Sequence, residues 1–335
     1  MRYLFLLFIL VSSSAYSQEY ELVDIIDKVS QKTIRSMVQD EAGFIWLGTN
    51  DGLNRYDGSE MTVFRFVQGD NNCICGNQVS DIVKDKKGSL WIASATCLDR
   101  MSLSDYSFTH YMASDTDSNS LSGKVISELR YVNDKLFVLS DKGLDVYNEK
   151  DDIFSSISFQ HSSSIKGINK VDAGLLISCD THIYIYNPLE DQISLLEELY
   201  DVPYAHNNIE GSFIYGQELF VAYKDSIVKY NLSEEASTSV LNKEVVAPKI
   251  FEWNNKIWFL TFSGIVTYDL EAQEFEVSDD EELAEGIAKA AMINDAGDLW
   301  VVLGNEVIRF KKNPPLFKTI EICLLYTSPS PRDRG

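Results

Sequence analysis

The sequence predicts an all-β fold, a seven-bladed β-propeller of four-stranded antiparallel blades. The first observation is a repeated apolar framework: an apolar anchor residue is followed seven positions later by an aliphatic residue and ten positions later by a large apolar residue, usually Tyr. The second is the spacing of the copies, 38 to 46 residues, which matches one propeller blade. The seven anchors are Trp46, Trp91, Phe137, Leu176, Phe220, Trp258 and Trp300.

The strict repetition of these positions predicts that they form the core between blades and do not contact a ligand. Burying such aromatic residues contributes strongly to stability, and truncating one to Ala typically costs about 3 to 5 kcal/mol. The aromatic residues expected in this core are Trp46, Tyr56, Trp91, Tyr147, Tyr186, Tyr230, Trp258, Tyr268 and Trp300.

The first copy shows how one blade is built. Residues 34–40, 44–49, 53–57 and 61–66 are predicted strands, and the turns 41–43 and 50–52 separate the first three. Gly43 and Gly52 stand where these tight turns require a positive φ, which glycine adopts at little steric cost. Turn chemistry therefore agrees with the apolar pattern.

A ring of blades must also close, because a single blade exposes two apolar faces. Residues 21–26 have no preceding strands of their own, so we expect them to form the outer strand of the last blade. Residues 317–322 compete for the same position, and the sequence alone leaves that choice open.

Both ends of the chain differ from the repeat. Residues 1–17 have a positive start, a short apolar run and a small-x-small ending, as in a cleaved secretory signal peptide. We expect the propeller to occupy residues 18–322 and to lie outside the cytoplasm. Residues 323–333 resemble a translated sequencing adapter, so we expect residues 323–335 to be a non-native tail.

The composition argues against nucleic-acid binding. With 51 acidic and 29 basic residues the formal net charge is −22, and the propeller lacks the concentrated basic patch that nucleic acids require. An anionic ligand would still fit if a few Lys and Arg side chains converged on the axis.

Four cysteines remain when Cys323 in the tail is set aside. Cys73 and Cys75 precede the second blade, and Cys97 lies in the turn between that blade's second and third strands. These two loop types emerge on the same face of a propeller, so a disulfide from Cys97 to Cys73 or Cys75 is predicted in an oxidising compartment. Cys179 is expected to be a buried thiol.

No motif indicates catalysis or a cofactor. The four histidines show no metal-binding spacing, and no nucleophile elbow, phosphate loop or kinase signature occurs. The stretch 295–300 resembles the Asp box of sialidases, but that box is a turn-and-core motif. We therefore expect no enzymatic activity, no cofactor and no metal.

One segment carries a family resemblance. Residues 34–58, IRSMVQDEAGFIWLGTNDGLNRYDG, closely resemble the repeat of the two-component regulator propeller family, whose consensus runs V-x-x-I-x-x-D-x-x-G-x-I-W-I-G-T-x-x-G-L-x-R-Y-D. Residues 79–101 fit less well, because Cys97 stands where the family has Gly and Met101 where it has Tyr. Later copies keep mainly the apolar framework.

The resemblance implies the periplasmic sensor region of a membrane-spanning regulator, with a histidine kinase or a fused transcription regulator beyond this sequence. Its expected ligand is an oligosaccharide or another exported small molecule. It also implies that the parent protein lies in the inner membrane and that this region is joined to the membrane only through C-terminal parts of the parent. A homodimer formed through the full-length receptor is compatible with the resemblance. The alternative is a scaffold or adhesion propeller that binds a protein partner and senses nothing.

In either case the loops of one propeller face are the expected binding surface, because a rigid ring presents them around a funnel. Polar loop residues would contact the ligand, and Tyr204 and Phe262 would stack on a sugar ring. The candidates are Asn50, Asp51, Asn77, Gln78, Asp141, Lys142, Asp180, His182, Tyr204, His206, Asn207, Lys224, Asp225, Phe262 and Asn305.

Overall fold

The predicted architecture is confirmed: the described residues form seven four-stranded antiparallel sheets. The structure, a computed structural model, describes residues 20–23, 28–161, 164–172, 174–200, 204–233, 237–242, 249–261, 264–277 and 287–312. The expected signal peptide, the expected tail, residues 317–322 and Phe262 lie outside these ranges.

Blades 1 to 4 follow one another along the chain, each with its strands in sequence order. Their strands are β2 (Ile34–Gln39), β3 (Ile45–Thr49), β4 (Gly52–Tyr56) and β5 (Met61–Phe64); β6 (Val79–Lys84), β7 (Ser89–Ser94), β8 (Leu98–Ser102) and β9 (Phe108–Tyr111); β10 (Ile126–Val132), β11 (Lys135–Ser140), β12 (Gly143–Asn148) and β13 (Ile153–Ser156); and β14 (Ile165–Val171), β15 (Gly174–Cys179), β16 (Ile183–Asn187) and β17 (Gln192–Leu195).

A short helix, α1 (Leu196–Leu199), follows blade 4, and in the described part of the chain no helix has the length and apolar character of a membrane span. Blades 5 and 6 then repeat the order of the earlier ones, and blade 7 adds a strand from the other end of the chain. Their strands are β18 (Ile209–Tyr215), β19 (Glu218–Tyr223), β20 (Ser226–Asn231) and β21 (Ser237–Asn242); β22 (Lys249–Trp253), β23 (Lys256–Thr261), β24 (Gly264–Asp269) and β25 (Glu274–Val277); and β26 (Ala288–Ile293), β27 (Leu299–Leu303), β28 (Glu306–Phe310) and β1 (Tyr20–Leu22).

Strand β1 closes the ring. It pairs antiparallel with β28, placing Tyr20 opposite Phe310 and Leu22 opposite Ile308. The backbone N–H of Val23 extends the ladder by donating to the carbonyl oxygen of Val307 at 2.8 Å. The expectation that residues 21–26 supply the outer strand of the last blade is confirmed for its described part.

The repeated framework forms the core. Twenty of the 21 framework positions are buried; the exception is Tyr56, which is half-buried. Its hydroxyl donates to the carbonyl oxygen of Gly58 at 2.6 Å, and the Lys28 ammonium lies 5.6 Å from its ring centroid, so the ring lies at the edge of the first blade. Of the nine aromatic residues expected in the core, the other eight are buried.

A buried carboxylate joins the first turn of a blade to its tryptophan. Asp40 accepts hydrogen bonds from the backbone N–H groups of Ala42 (3.0 Å) and Phe44 (2.9 Å) and from Trp46 Nε1 (2.7 Å). Asp85 holds Trp91 in the same way in blade 2. The turn and the core of the blade therefore depend on the same side chain.

Blade 7 carries a weaker version of this unit. Asn294 occupies the position of Asp40 and accepts a hydrogen bond from the N–H of Asp298 at 2.8 Å. Trp300 Nε1 is buried and has no acceptor among the described residues. The amide therefore caps the turn without holding the indole.

Cys97 forms a disulfide with Cys75, across a Cα–Cα distance of 6.3 Å. Cys73 instead belongs to its own loop: its thiol donates to the carbonyl oxygen of Asp70 at 3.2 Å and accepts from the N–H of Val67 at 3.2 Å. The alternative that the sequence left open is thus resolved in favour of Cys75. Cys179 is buried in blade 4.

An ion pair lies beside this disulfide. Fully buried Asp99 accepts hydrogen bonds from the N–H of Cys75 (3.1 Å) and from His110 Nδ1 (2.6 Å), and His110 Nε2 lies 2.9 Å from the carbonyl oxygen of Asn71. Burial opposes protonation of the ring, but the hydrogen bonds to Asp99 and Asn71 outweigh it and raise the pKa of His110. Both ring nitrogens face acceptors, which only the doubly protonated imidazolium satisfies fully.

The hydrogen bonds of Asp40 predict that alanine substitutions at Asp40 and at the equivalent Asn294 lower the free energy of unfolding by different amounts. Asp40→Ala leaves three N–H donors without an acceptor and should lower the free energy of unfolding by about 2 to 4 kcal/mol. Asn294→Ala removes one backbone contact and should cost about 1 kcal/mol. Urea unfolding followed by tryptophan fluorescence measures both, and equal losses would contradict the proposed role of the carboxylate.

The His110 contacts predict an imidazole that titrates above the ordinary value of 6.5. Because its pKa in the folded state exceeds that in the unfolded state, the protonated ring contributes stability that is fully present below pH 6.5 and is lost as the pH rises through the folded-state pKa. NMR titration of the imidazole signals, with His110→Gln to assign the resonance, measures it. A midpoint at or below 6.5 would show that the pair with Asp99 does not hold the proton.

Candidate functional site

The first strands of the blades face the axis of the ring, since they contact one another in six of the seven pairs of neighbouring blades. In six blades the pairing register shifts at the same place in this strand, as in a β-bulge. A bulge re-aims the side chain that follows it. In blades 1 to 3 these side chains are polar: Ser36, Asp81 and Glu128.

Asp81 links three blades around the axis. Its Oδ1 accepts a hydrogen bond from Ser36 Oγ of blade 1 at 2.6 Å, and its Oδ2 accepts from the N–H of Leu129 of blade 3 at 2.9 Å. Arg130 adds a salt bridge to the same oxygen at 3.2 Å. The buried carboxylate is therefore compensated by donors from both neighbouring blades.

The same arrangement continues through blades 3 to 5. Glu128 accepts hydrogen bonds from the N–H of Ile168 at 3.1 Å and from Arg130 at 3.2 Å. Asn169 donates through Nδ2 to the carbonyl oxygen of Ser212 at 2.9 Å. We call Ser36, Asp81, Glu128, Arg130 and Asn169 the axial belt.

A cavity of about 330 Å³ lies against the axial belt. Three cationic side chains line it, Arg130, Lys170 and Lys249, together with the aromatic rings of Phe213 and Phe251. Neither Lys170 nor Lys249 has an ion-pair partner within the ranges that the structure describes. The cavity thus combines two uncommitted ammonium groups with hydrogen-bonding and apolar surfaces, the composition expected of a small-molecule site.

The loop residues singled out from the sequence do not gather in one site. In blade 1, Asn50 accepts a hydrogen bond from Arg35 Nε at 2.7 Å, and Asp51 pairs with Arg65 at 2.9 Å. The hydrogen bond from Arg65 lowers the pKa of Asp51. These two side chains therefore stabilise the blade's own loops.

Blades 2 and 3 show the same local use of polar loop residues. Asn77 accepts from the N–H of Phe66 at 2.7 Å, and Asp141 accepts from the N–H of Val125 at 3.0 Å. Lys142 pairs with Asp115 at 3.0 Å. The remaining turn residues are exposed and lie on different blades: Gln78, Asn207, Lys224, Asp225 and Asn305.

Three of the candidates do come together. His182, Tyr204 and His206 lie side by side between blades 4 and 5, close to Asp180. The sequence analysis missed two further members of this group, His161 and Glu197, because they come from other loops. We call His161, His182, Glu197 and His206 the histidine cluster.

The sequence analysis also missed the cavity residues Arg130, Lys170 and Lys249. Each lies on a first strand rather than in a turn, and none forms a recognisable motif. When the first strands are aligned by the residues that pair with the anchors, four of their residues lie at one level of the ring. These are Arg130, Asn169, Phe213 and Phe251, which pair with Phe137, Leu176, Phe220 and Trp258, respectively.

Comparisons with known proteins agree with this architecture. Residues 28–51 and 73–96 match the model of the two component regulator propeller family. These segments contain the turns and second strands of blades 1 and 2, where the Asp–Trp unit occurs. A 49-residue stretch, 15% of this chain and 4% of the relative, is 39% identical to histidine kinase P4 of Formosa agariphila.

Two solved structures from B. thetaiotaomicron are similar in fold. The extracellular domain of a protein described as a hybrid two component system has a TM-score of 0.71, with 19% identity over 88% of this chain and 42% of that chain. Another, described as a one component system, has a TM-score of 0.63, with 16% identity over 90% and 44%. This chain spans less than half the length of either. It is a seven-bladed propeller that carries the two-component regulator propeller repeat in its first two blades.

Proposed function

We propose that this chain is the periplasmic ligand-sensing region of a membrane-spanning two-component regulator, and that its axial cavity binds a small acidic sugar. The observation that carries the proposal is the convergence of Arg130, Lys170 and Lys249 on one cavity. In a chain of net charge −22, the cavity is lined by these three cations and by one carboxylate, Asp81, so its local charge is positive.

The charges favour an anionic group on the ligand. Arg130 is already committed to Asp81 and Glu128, so Lys170 and Lys249 are the groups available to a carboxylate. A charge-assisted hydrogen bond from each would replace water and give the ligand its orientation. The negative field of the remaining surface would oppose the approach of anions, so only a ligand with further contacts would bind well.

The other surfaces supply those contacts. Asn169, whose Nδ2 is bound to Ser212, offers its amide oxygen to a ligand hydroxyl, while Phe213 and Phe251 offer apolar faces to a sugar ring. A volume of about 330 Å³ lies at the lower end of small-molecule sites, which suits one or two sugar units. We therefore infer a uronic-acid-containing mono- or disaccharide as the ligand class.

The proposed place of the domain in its parent protein is supported by its relatives. The similar structures are extracellular domains of regulators, and the local sequence relative is a histidine kinase. We propose export through a cleaved signal peptide and an output domain, a histidine kinase or a transcription regulator, beyond the membrane. The propeller itself would bind ligand and perform no catalysis.

Titration calorimetry with a uronic-acid disaccharide tests the ligand class. The double variant Lys170→Gln/Lys249→Gln should bind at least about tenfold more weakly, because it loses two charge-assisted contacts. The corresponding neutral disaccharide should bind more weakly than the acidic one to the unmodified chain and show little response to the substitutions.

Lys142→Gln/Lys224→Gln is the matched control, since it removes the same charge from exposed turns outside the cavity. It should leave the affinity unchanged. Equal binding of the acidic and neutral sugars would contradict the proposed ligand class. Equal weakening by both double variants would show that the axial cavity is not the site.

A further inference from the structure

We propose that the histidine cluster is a binding site for a zinc-class divalent metal ion, held by His182, Glu197 and His206. The site lies on the loops between blades 4 and 5 and is separate from the axial cavity. One ligand atom from each of the three side chains lies within 4.8 Å of the other two. Imidazole nitrogens and one carboxylate are ligands that Zn²⁺ prefers.

The distances are close to those of an occupied site. His182 Nε2 lies 4.0 Å from Glu197 Oε1, and His206 Nδ1 lies 3.8 Å from Glu197 Oε2. His206 Nδ1 also lies 3.1 Å from the carbonyl oxygen of Thr181, which only accepts hydrogen bonds, so His206 would bind a metal after giving up this contact or through its other ring nitrogen. Ligand atoms around a tetrahedral zinc ion lie about 3.4 Å apart, given metal–ligand bonds of about 2.1 Å. Rotation of the His206 ring together with small movements of His182 and Glu197 would therefore bring the ligands into contact with the metal.

The surrounding groups hold the ligands in orientation. Thr181 Oγ1 lies 2.8 Å from His182 Nδ1. When the Nδ1–H of His182 donates a hydrogen bond to this hydroxyl, the ring keeps its lone pair on Nε2, the nitrogen that faces Glu197. The hydroxyl of buried Tyr204 donates to Glu197 Oε2 at 2.5 Å. Such second contacts to metal ligands are typical of zinc sites, where they fix the tautomer and the direction of the carboxylate.

The charge balance favours a cation. The ring of His161 stacks on that of His182 at 4.3 Å between centroids, with planes 7° apart, and His206 lies 5.5 Å from His182. The carboxylate of Glu197 lies beside His182 and His206 and favours a cation there, and neutral imidazole is the form that ligates a metal.

Asp180 adds an unsatisfied acceptor next to the cluster. Its Oδ1 is buried and has no hydrogen-bond donor in the described ranges, although a buried carboxylate oxygen is normally paired. A cation at His182, two residues along the chain, would compensate this charge. A water molecule would complete the coordination.

Another group of potential metal ligands among the described residues serves as a contrast. Cys75, Cys97, Asp99 and His110 are also close together, but the disulfide removes both thiolates. His110 in addition has its two nitrogens engaged by Asp99 and Asn71. His110→Gln is therefore a control that removes a histidine without touching the proposed site.

The test is a zinc titration of the purified, chelator-treated, non-reduced chain, followed by calorimetry and by thermal unfolding. The unmodified chain should bind one equivalent of Zn²⁺ and unfold at a higher temperature with Zn²⁺ than with Mg²⁺. His182→Gln and Glu197→Gln should each weaken zinc binding at least about tenfold and remove the shift in unfolding temperature. His110→Gln should retain both.

Co²⁺ provides a second readout if a variant is unstable. The unmodified chain should show the intense visible absorption of tetrahedral Co²⁺, and Zn²⁺ should displace it. Absence of one-equivalent zinc binding by the unmodified chain, or binding that survives the double variant His182→Gln/Glu197→Gln, would overturn the proposal. Neither result bears on sugar binding in the axial cavity, which is measured with other residues and another ligand.

Discussion

Each sheet of this molecule is apolar on both faces, so its stability depends on contact with a neighbouring sheet on either side. The buried cluster that joins blade 7 to blade 1 shows this at the closing point, where Ile34 and Leu47 pack with Trp300 and Val302. That contact exists only if the two ends of the chain meet. The pairing of β1 with β28 therefore completes the core as well as the seventh sheet. Pairing residues so distant in sequence carries a large loop-closure cost, which only the full ring of contacts offsets.

The sequence predicted the blades because their determinants are local. Asp40, Gly43 and Trp46 lie within seven residues, and their hydrogen bonds join one turn to one core side chain. Gly43 and Gly52 have φ values of +88° and +107°, as their turns require. The closing strand was predicted by counting strands against sheets, a global argument. Tyr56 departs from the pattern because its hydroxyl and the nearby Lys28 hold its ring at the edge of the first blade.

The candidate site was harder to predict, because polar residues in turns have two roles. Asn77 and Asp141 accept hydrogen bonds from loop N–H groups, a need that any tight loop creates. Their presence in turns therefore says little about ligands. Lys170 and Lys249 lie 79 residues apart in strands whose alternation looks ordinary, and only the curvature of the ring brings them to one cavity. Of the loop residues chosen from the sequence, His182, Tyr204 and His206 converge because consecutive loops share one face. Glu197 was missed because nothing in the sequence marks the short helix that carries it as part of that face.

The axial belt also limits how a bound ligand could act on the ring. Apolar clusters between blades resist sliding, since a closely packed interface has few alternative arrangements. Asp81 is different: one carboxylate receives hydrogen bonds from blades 1 and 3, so its contacts depend on the relative position of three blades. A ligand carboxylate held by Lys170 and Lys249 would lie in the same cavity as Arg130 and would alter the electrostatic surroundings of its contacts with Asp81 and Glu128. A ligand shifts a conformational equilibrium only by its difference in affinity for the two states. The contacts with Arg130 are therefore where such a difference would arise, while the sheets themselves stay unchanged.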